Sequence, residues 1–228
     1  MTGKIYQWSY SRLSTFESCP KKAYYAYVKR IKEPGNKYME RGKNMHSMCE
    51  DYIRGRYEEI PKELVDFEEA FDNLKELHLK GYVTCEGDWA FDKDWKPAPW
   101  FGDTTWGRAK VDAFVYIDGQ PNARVIDFKT GRYDGNQETH REQCELYGAV
   151  VLERMPEVET ITTELWYLDH GKIDRYEYSE DNITYKREKL NSRAIAMTDA
   201  TEFPAKPSTF GCKWCYFGKE KICEDRYE

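Results

Sequence analysis

Asp112, Asp127 and Lys129 are the residues of this 228-residue chain whose types and spacing best suit chemistry. Val111, Ala113, Val115 and Ile117 alternate with Asp112, Phe114 and Tyr116, the pattern of a strand. Residues 118–122 (DGQPN) turn the chain, and Ala123 to Lys129 runs back as a second strand. With the turn centred between Gly119 and Gln120, Asp112 and Asp127 oppose each other on one face, beta carbons about 5 Å apart. Lys129, two residues on, joins that face. An odd loop length would turn Asp112 away. Two carboxylates this close repel, and a single lysine cannot neutralise both. A hard divalent cation can, and magnesium accepts one or two carboxylates while keeping positions for water and substrate phosphate. The lysine would then orient the attacking water or stabilise charge in the transition state. The plain alternative is a charge cluster on an exposed sheet face. Against it stand Val125, Ile126 and Phe128, which surround Asp127 with apolar residues where an idle charge is costly.

Several elements must position these groups. Met45, Met48, Cys49, Tyr52 and Ile53 recur at helical spacing, so a helix is predicted from Arg41 to about Tyr57. It carries Gly42, His46 and Glu50 along one side, the glycine allowing close backbone approach. Gln143 and Tyr147 are four apart on a predicted helix over Gln137 to Arg154 and can face the same cleft; alone they are ordinary helix polars. Upstream, Ser11 is the expected N-cap of a short helix, and Pro20 opens a second one through Tyr24, Tyr27, Val28 and Ile31, ended by Gly35. A third helix after Pro61 carries Leu64, Phe67, Phe71, Leu74 and Leu77 and stops at Gly81. Val83 to Trp106 reads as one or two short strands with loops. Strands near Ile161 to Leu168 and Ile173 to Tyr178, a helix from Glu180 to Thr198, and a cysteine-bearing tail complete the chain. No internal repeat is visible.

The composition sets outer limits. With 40% hydrophobic and 15% aromatic residues the chain can bury a core, which excludes disorder, collagen and coiled coil. No stretch approaches the roughly 18 apolar residues of a membrane span, and the N-terminus lacks an apolar signal run, so the cytoplasm is the expected compartment. The net charge of -6 argues against a general polyanion binder, although a site that gathers carboxylates around a metal is locally acidic by design. Seven unevenly spaced cysteines make a disulfide framework a poor expectation.

Taken in order, these residues resemble the RecB-like branch of the PD-(D/E)XK nuclease superfamily. GKNMHSMCE (42–50) fits Gly-x3-His-x3-Glu, and GRAKVDAF (107–114) supplies Gly-x4-Asp. VIDFKTG (125–131) supplies Asp-x-Lys, and QCELY (143–147) fits Gln-x3-Tyr. SYSRLSTFESCPKKAYY (9–25) resembles the family's N-terminal Ser-x-Leu-x-x-Phe-x-x-Cys-Pro segment, so the likeness spans nearly the whole chain. It implies an α/β fold: a restriction-endonuclease-like core, a central mixed sheet flanked by helices, with an N-terminal helical part and a C-terminal cysteine-rich tail. The expected organisation is one nuclease domain over 1–228, with a core at 35–202 and a metal-cluster subdomain formed by 1–34 and 203–228.

The resemblance also implies roles. His46, Asp112 and Asp127 would ligate Mg2+ or Mn2+ with the Phe128 carbonyl, and Lys129 would handle the attacking water. Glu50 would support the His46 helix or a second ion, while Gln143 and Tyr147 would position the DNA backbone or the lysine. In iron-sulfur relatives, which include the AddB nuclease domain and small CRISPR-associated nucleases, one N-terminal and three C-terminal cysteines hold a four-iron four-sulfur cluster. Here those are Cys19, Cys212, Cys215 and Cys223, and zinc in a four-cysteine site is the alternative. The gap from Cys215 to Cys223 is longer than the family pattern. Cys49, Cys85 and Cys144 read as packing residues. The implied activity is exonucleolytic hydrolysis of single-stranded DNA ends, with 5′-to-3′ polarity, in recombination, repair, phage DNA processing or CRISPR adaptation. A helicase, a recombinase or a CRISPR integrase would be the partner. Arg12, Lys21, Lys22, Lys29 and Arg30 form a basic strip for DNA, or else the solvated face of a tyrosine-rich core. The competing function is a non-catalytic DNA-end-binding or assembly subunit, which predicts damaged motifs; a zinc-bearing binding module would leave the hairpin carboxylates unexplained.

Overall fold

The computed structural model describes residues 3–227. Helices α1 (Tyr10–Ser18) and α2 (Pro20–Ala23) lead into a wide helical turn at Tyr24–Val28, followed by α3 (Lys37–Ile53) and α4 (Glu68–Leu79). Strands β1 (Val83–Phe91), β2 (Pro97–Ala98), β3 (Gly107–Tyr116) and β4 (Asn122–Lys129) come next. Then follow α5 (Gln137–Arg154), β5 (Thr160–Tyr167), β6 (Lys172–Tyr178), α6 (Glu180–Thr198) and, in the tail, α7 (Thr209–Trp214) and α8 (Tyr216–Lys219). The six strands form one mixed sheet in the order β2-β1-β3-β4-β5-β6. All pairs are antiparallel except β4 with β5, which α5 joins. A parallel pair needs such a crossover.

Apolar residues cover both faces of the sheet. Val125, Val111 and Leu165 pack with Leu13 of α1, Val151 of α5 and Leu190 of α6 on one side. Ile126, Phe128 and Trp166 pack with Ile53 of α3 and Phe71 and Leu74 of α4 on the other. A strand buried on both sides tolerates consecutive apolar residues such as Val125 and Ile126. The β3–β4 turn is closed by the Gln120 N–H donating to the Ile117 carbonyl at 3.0 Å, and Gly119 takes φ +78, where a side chain would be strained.

Three helix starts differ from the sequence expectation, one of them that of α4, which begins at Glu68 and leaves Leu64 and Phe67 ahead of it. Ser9, not Ser11, caps α1: its backbone is extended, and its hydroxyl faces the Arg12 N–H at 3.5 Å. Starting there brings Tyr10 into the helix, where its hydroxyl donates to Glu142 of α5 at 3.0 Å. Helix α3 begins at Lys37, because the Asn36 side chain accepts from the Tyr38 and Met39 N–H groups at 3.0 and 3.1 Å. Tyr38 and Met39 point outward, 75% and 48% exposed, so no apolar period marks this first turn. The tail lies against the N-terminal helices, with the Tyr25 and Phe217 rings 5.2 Å apart and the Tyr25 hydroxyl donating to the Ile222 carbonyl at 3.1 Å. Among the described residues no helix is long and apolar enough to cross a membrane.

Candidate active site

The hairpin register is the predicted one. Ala113 opposes Ile126 and Phe114 opposes Val125, which places Asp112 level with Asp127 where the ladder ends. Beyond that, the single-face expectation holds for Asp127 and Lys129 and needs correction for Asp112. Ala109 and Val111 pack on the α5–α6 side of the sheet, whereas Ala113 and Val115 pack on the α3–α4 side. The period of two therefore changes phase at Asp112. Strand β1 makes the same change: Trp89 and Phe91 belong to the first side, Val83 and Cys85 to the second. Between them Glu86 has φ +56, a left-handed conformation that an L side chain adopts at a cost of about 1–3 kcal/mol. The regular β1–β3 pairing resumes on either side of Glu86, from Cys85–Ala113 to Gly87–Val111, which sets Glu86 level with Asp112.

This local twist lets Asp112 bridge two elements. One carboxylate oxygen accepts from the Phe128 backbone N–H at 2.7 Å, and the other lies 3.0 Å from His46 Nδ1 of α3. Asp127 instead faces α5, where the Tyr147 hydroxyl donates to its Oδ1 at 2.7 Å. The Lys129 ammonium lies 2.5 Å from Asp127 Oδ2 and donates to Gln143 Oε1 at 2.7 Å. Gln143 Nε2 in turn donates to the Tyr147 oxygen at 2.6 Å. Lysine offers no acceptor, so the amide must present its oxygen to Lys129 and its nitrogen to Tyr147. Asp127, Lys129, Gln143 and Tyr147 thus close a ring of polar contacts in a largely buried setting.

The electrostatics are those of crowded negative charge. Burial, followed by the Asp127 charge, pushes the Asp112 carboxyl above its ordinary value, although His46 and the Phe128 N–H pull the other way. For His46 burial is the largest influence and opposes protonation, but the Asp112 hydrogen bond and the nearby carboxylates outweigh it and raise the imidazole. Burial and Asp127 hold the Tyr147 phenol far above its usual range, so it remains a donor. Burial and the Lys129 charge bring His140 down to about 4, leaving a neutral imidazole beside the site.

Glu86 is the residue that the sequence did not disclose. Among the described residues, His46, Glu86 and Asp112 offer ligand atoms that all lie within 4.8 Å of one another. Asp127 Oδ2 is buried and accepts no hydrogen bond of proper geometry, despite the ammonium beside it. One imidazole, a set of carboxylates and an orphaned buried oxygen match the donors of a hard divalent cation, and these residues fit such an ion. In the present arrangement Glu86 is paired with Lys110. Replacing Glu86 by Gln is expected to raise the magnesium or manganese concentration for half-maximal activity about tenfold, equivalent to about 1.4 kcal/mol of cation binding. A metal titration of the variant checks this, and an unchanged midpoint would remove Glu86 from the ligand set.

Gly42 and Glu50 line the same cavity of about 570 Å³ as His46, Glu86 and Asp112, whereas other expected site residues fall elsewhere. The Glu50 carboxylate accepts from Arg54, the residue capping the end of α3, at 2.7 Å. Gly42 makes no unusually close approach, since an added beta carbon would sit 3.5 Å from Thr130 Oγ1, an ordinary contact. Lys21 is a correction: it is 6% exposed and ion-paired with Asp225 of the tail, so it cannot join a DNA-facing strip. The strip reading had no access to that partner from 204 residues away. Lys29 and Arg30 are exposed, and Lys22 and Arg12 are partly so. The cysteines divide into two sets. Cys49, Cys85 and Cys144 are buried, and burial pushes the thiols of Cys85 and Cys144 up to about 11 and about 12 and that of Cys49 higher still. Cys19, Cys212, Cys215 and Cys223 are partly exposed.

A mixed sheet flanked by helices, with two aspartates and a lysine at the end of a hairpin, defines the restriction-endonuclease-like fold. The family model of the PD-(D/E)XK nuclease superfamily matches residues 7–223, and the chain belongs to that superfamily. Among solved structures, the Eubacterium rectale protein named "Putative exonuclease" is 13% identical with a TM-score of 0.54, the match covering 98% of this chain and 90% of that one. The crystal structure of SSO0001 is 16% identical with a TM-score of 0.45, covering 100% and 90% respectively. Among curated proteins none matches the sequence.

Proposed function

We propose that this nuclease-superfamily chain is a metal-dependent exonuclease that hydrolyses phosphodiester bonds at single-stranded DNA ends, with 5′-to-3′ polarity. The observation that carries the hydrolytic reading is the Asp127–Lys129–Gln143–Tyr147 ring beside the His46–Glu86–Asp112 group. An intact set of this kind is unlike the damaged motifs of a scaffold subunit. His46, Asp112 and Asp127, with the Phe128 carbonyl, would hold Mg2+ or Mn2+. Such an ion supplies Lewis-acid stabilisation of charge on the phosphoryl oxygens. Lys129 directs its ammonium at the attacking water or the developing charge. Gln143 fixes the lysine rotamer, and Tyr147 fixes Asp127. End-directed, single-strand action and the polarity follow from the RecB-like resemblance. So does participation in recombination, repair, phage DNA processing or CRISPR adaptation, beside a helicase, recombinase or integrase.

The same reading includes an iron-sulfur cluster on Cys19, Cys212, Cys215 and Cys223. Its support is that the four partly exposed thiols lie on two chain ends that pack together, with the Lys206 N–H 3.5 Å from Cys19 Sγ. Four thiolates are the ligand number a cluster needs. The deciding experiment is digestion of single-stranded DNA labelled at either end by anaerobically purified protein, in magnesium, manganese and chelator, with iron and zinc analysis of the same sample. Metal-dependent shortening from the 5′ end by an iron-loaded protein is the expected result. A folded, metal-replete protein that binds ends without cutting would establish the scaffold alternative.

A further inference from the structure

Beside the candidate active site lies a cavity of about 290 Å³ between the start of α1 and β3. Gln143 and Tyr147 of the polar ring form part of its wall, so the cavity borders that site. Arg12 and Arg108 also line it. Among the described residues neither has a carboxylate within ion-pair distance, in contrast to the part-buried Arg187 and Arg193. Arg12 donates one N–H to the Gln7 carbonyl at 3.0 Å, and its guanidinium lies 5.2 Å from the Tyr27 ring centre. Arg108 Nε is buried with no partner, and the Trp8 indole N–H on the same wall is likewise unpaired, in a residue 1% exposed. The acidic groups bearing on this place are Asp88, whose charge reaches Arg108 from β1, and Glu142, which is already engaged by Tyr10 and Arg193. Two arginines lining one cavity, each charge felt by the other and neither paired with an anion, form an arrangement that an anion completes. The aromatic surroundings narrow the choice of anion. The Arg108 guanidinium sits 5.0 Å from the Trp100 ring centre and 5.1 Å from that of Phe101, and Phe101 is 79% exposed. An exposed aromatic next to paired arginines is the combination that holds a single strand, with a base on the ring and a phosphate on the cations.

We infer that this cavity binds a phosphate of the DNA strand, held by Arg12 and Arg108, with the neighbouring base on Phe101 and Trp100. The inference rests on the nuclease reading for its ligand, and deepens it by placing the strand on the α1 side of the metal-ligand group. The test titrates single-stranded oligonucleotides bearing either a 5′-phosphate or a 5′-hydroxyl against wild type, Arg12→Ala, Arg108→Ala and Phe101→Ala. Fluorescence anisotropy is read in chelator over a range of salt, so cleavage plays no part. Each arginine variant is expected to bind about tenfold more weakly and to lower the salt slope by about 0.7. Phe101→Ala, at an exposed position with no folding risk, is expected to lose about fivefold or more with the slope unchanged. Losses on both oligonucleotides identify an internal phosphate, and losses confined to the phosphorylated one identify the terminal phosphate. Wild-type affinity and slope in Arg12→Ala and Phe101→Ala would overturn the inference while leaving the nuclease reading standing. Weakened variants of a wild type that never cleaves would do the reverse.

Discussion

Lys129→Ala is expected to lower single-stranded DNA cleavage by at least about a thousandfold, the scale for removing a group that stabilises transition-state charge. The side chain is well placed for so large an effect. It is held between Asp127 and Gln143, 16% exposed, so its ammonium arrives already oriented. Lys129→Arg should not rescue, because a planar guanidinium cannot occupy the same point between a carboxylate and an amide oxygen. Gln143→Ala leaves the ammonium present but free to rotate, and a milder loss of about ten- to a hundredfold is expected. A second readout separates chemistry from folding. Without Lys129 the buried Asp127 charge loses its cation, so the variant should unfold at lower temperature in chelator, by about 1–3 kcal/mol of stability. Added magnesium should restore part of that loss by taking over the pairing. Undiminished turnover in a clean Lys129→Ala preparation would sink the assignment of the lysine.

How much of this was legible in the sequence depends on the range of the interaction involved. The Asp112–Asp127 register could be counted from the turn outward, and Ala113 does oppose Ile126. Helices α5 and α6 run over Gln137–Arg154 and Glu180–Thr198, the bounds expected from the sequence. The phase change on β3 was invisible for a specific reason. Ala109, Val111, Ala113 and Val115 all occupy odd positions, so period-two counting puts them on one face, and only the twist at Glu86 sends the last two to the other. Glu86 itself sits among Cys85, Gly87 and Asp88, a run that reads as loop. In the alternating run Val83 to Phe91 Glu86 falls on the polar phase with Thr84 and Asp88, so nothing local singled it out, and only the strand pairing sets it level with Asp112. Lys21 failed in the opposite way: a local basic pattern was turned inward by Asp225, a contact no window reveals.

Asp112→Asn carries the second large expectation, and its two halves have opposite sign. Cleavage should fall by a thousandfold or more, because the substitution removes the charge on which the ligand group depends. Stability in chelator should rise. Asparagine can keep both hydrogen bonds, its oxygen accepting from the Phe128 N–H and its amide donating to His46 Nδ1, while the charge that burial and Asp127 disfavour is gone. The sign follows from linkage. A carboxyl whose folded pKa lies above its unfolded value opposes folding at neutral pH, and the opposition fades as falling pH protonates it in both states. The gain should therefore be fully present at neutral pH and shrink as the pH falls through the acid range. Divalent cations reverse the order. They should stabilise wild type by mass action and leave Asp112→Asn unmoved, so the two melting curves cross as magnesium or manganese is added. Thermal melts of both proteins over pH and metal concentration measure the crossing. A variant less stable than wild type in chelator would mean that Asp112 is held there for its hydrogen bonds, and one that still gained stability from the cation would move the ion to other ligands.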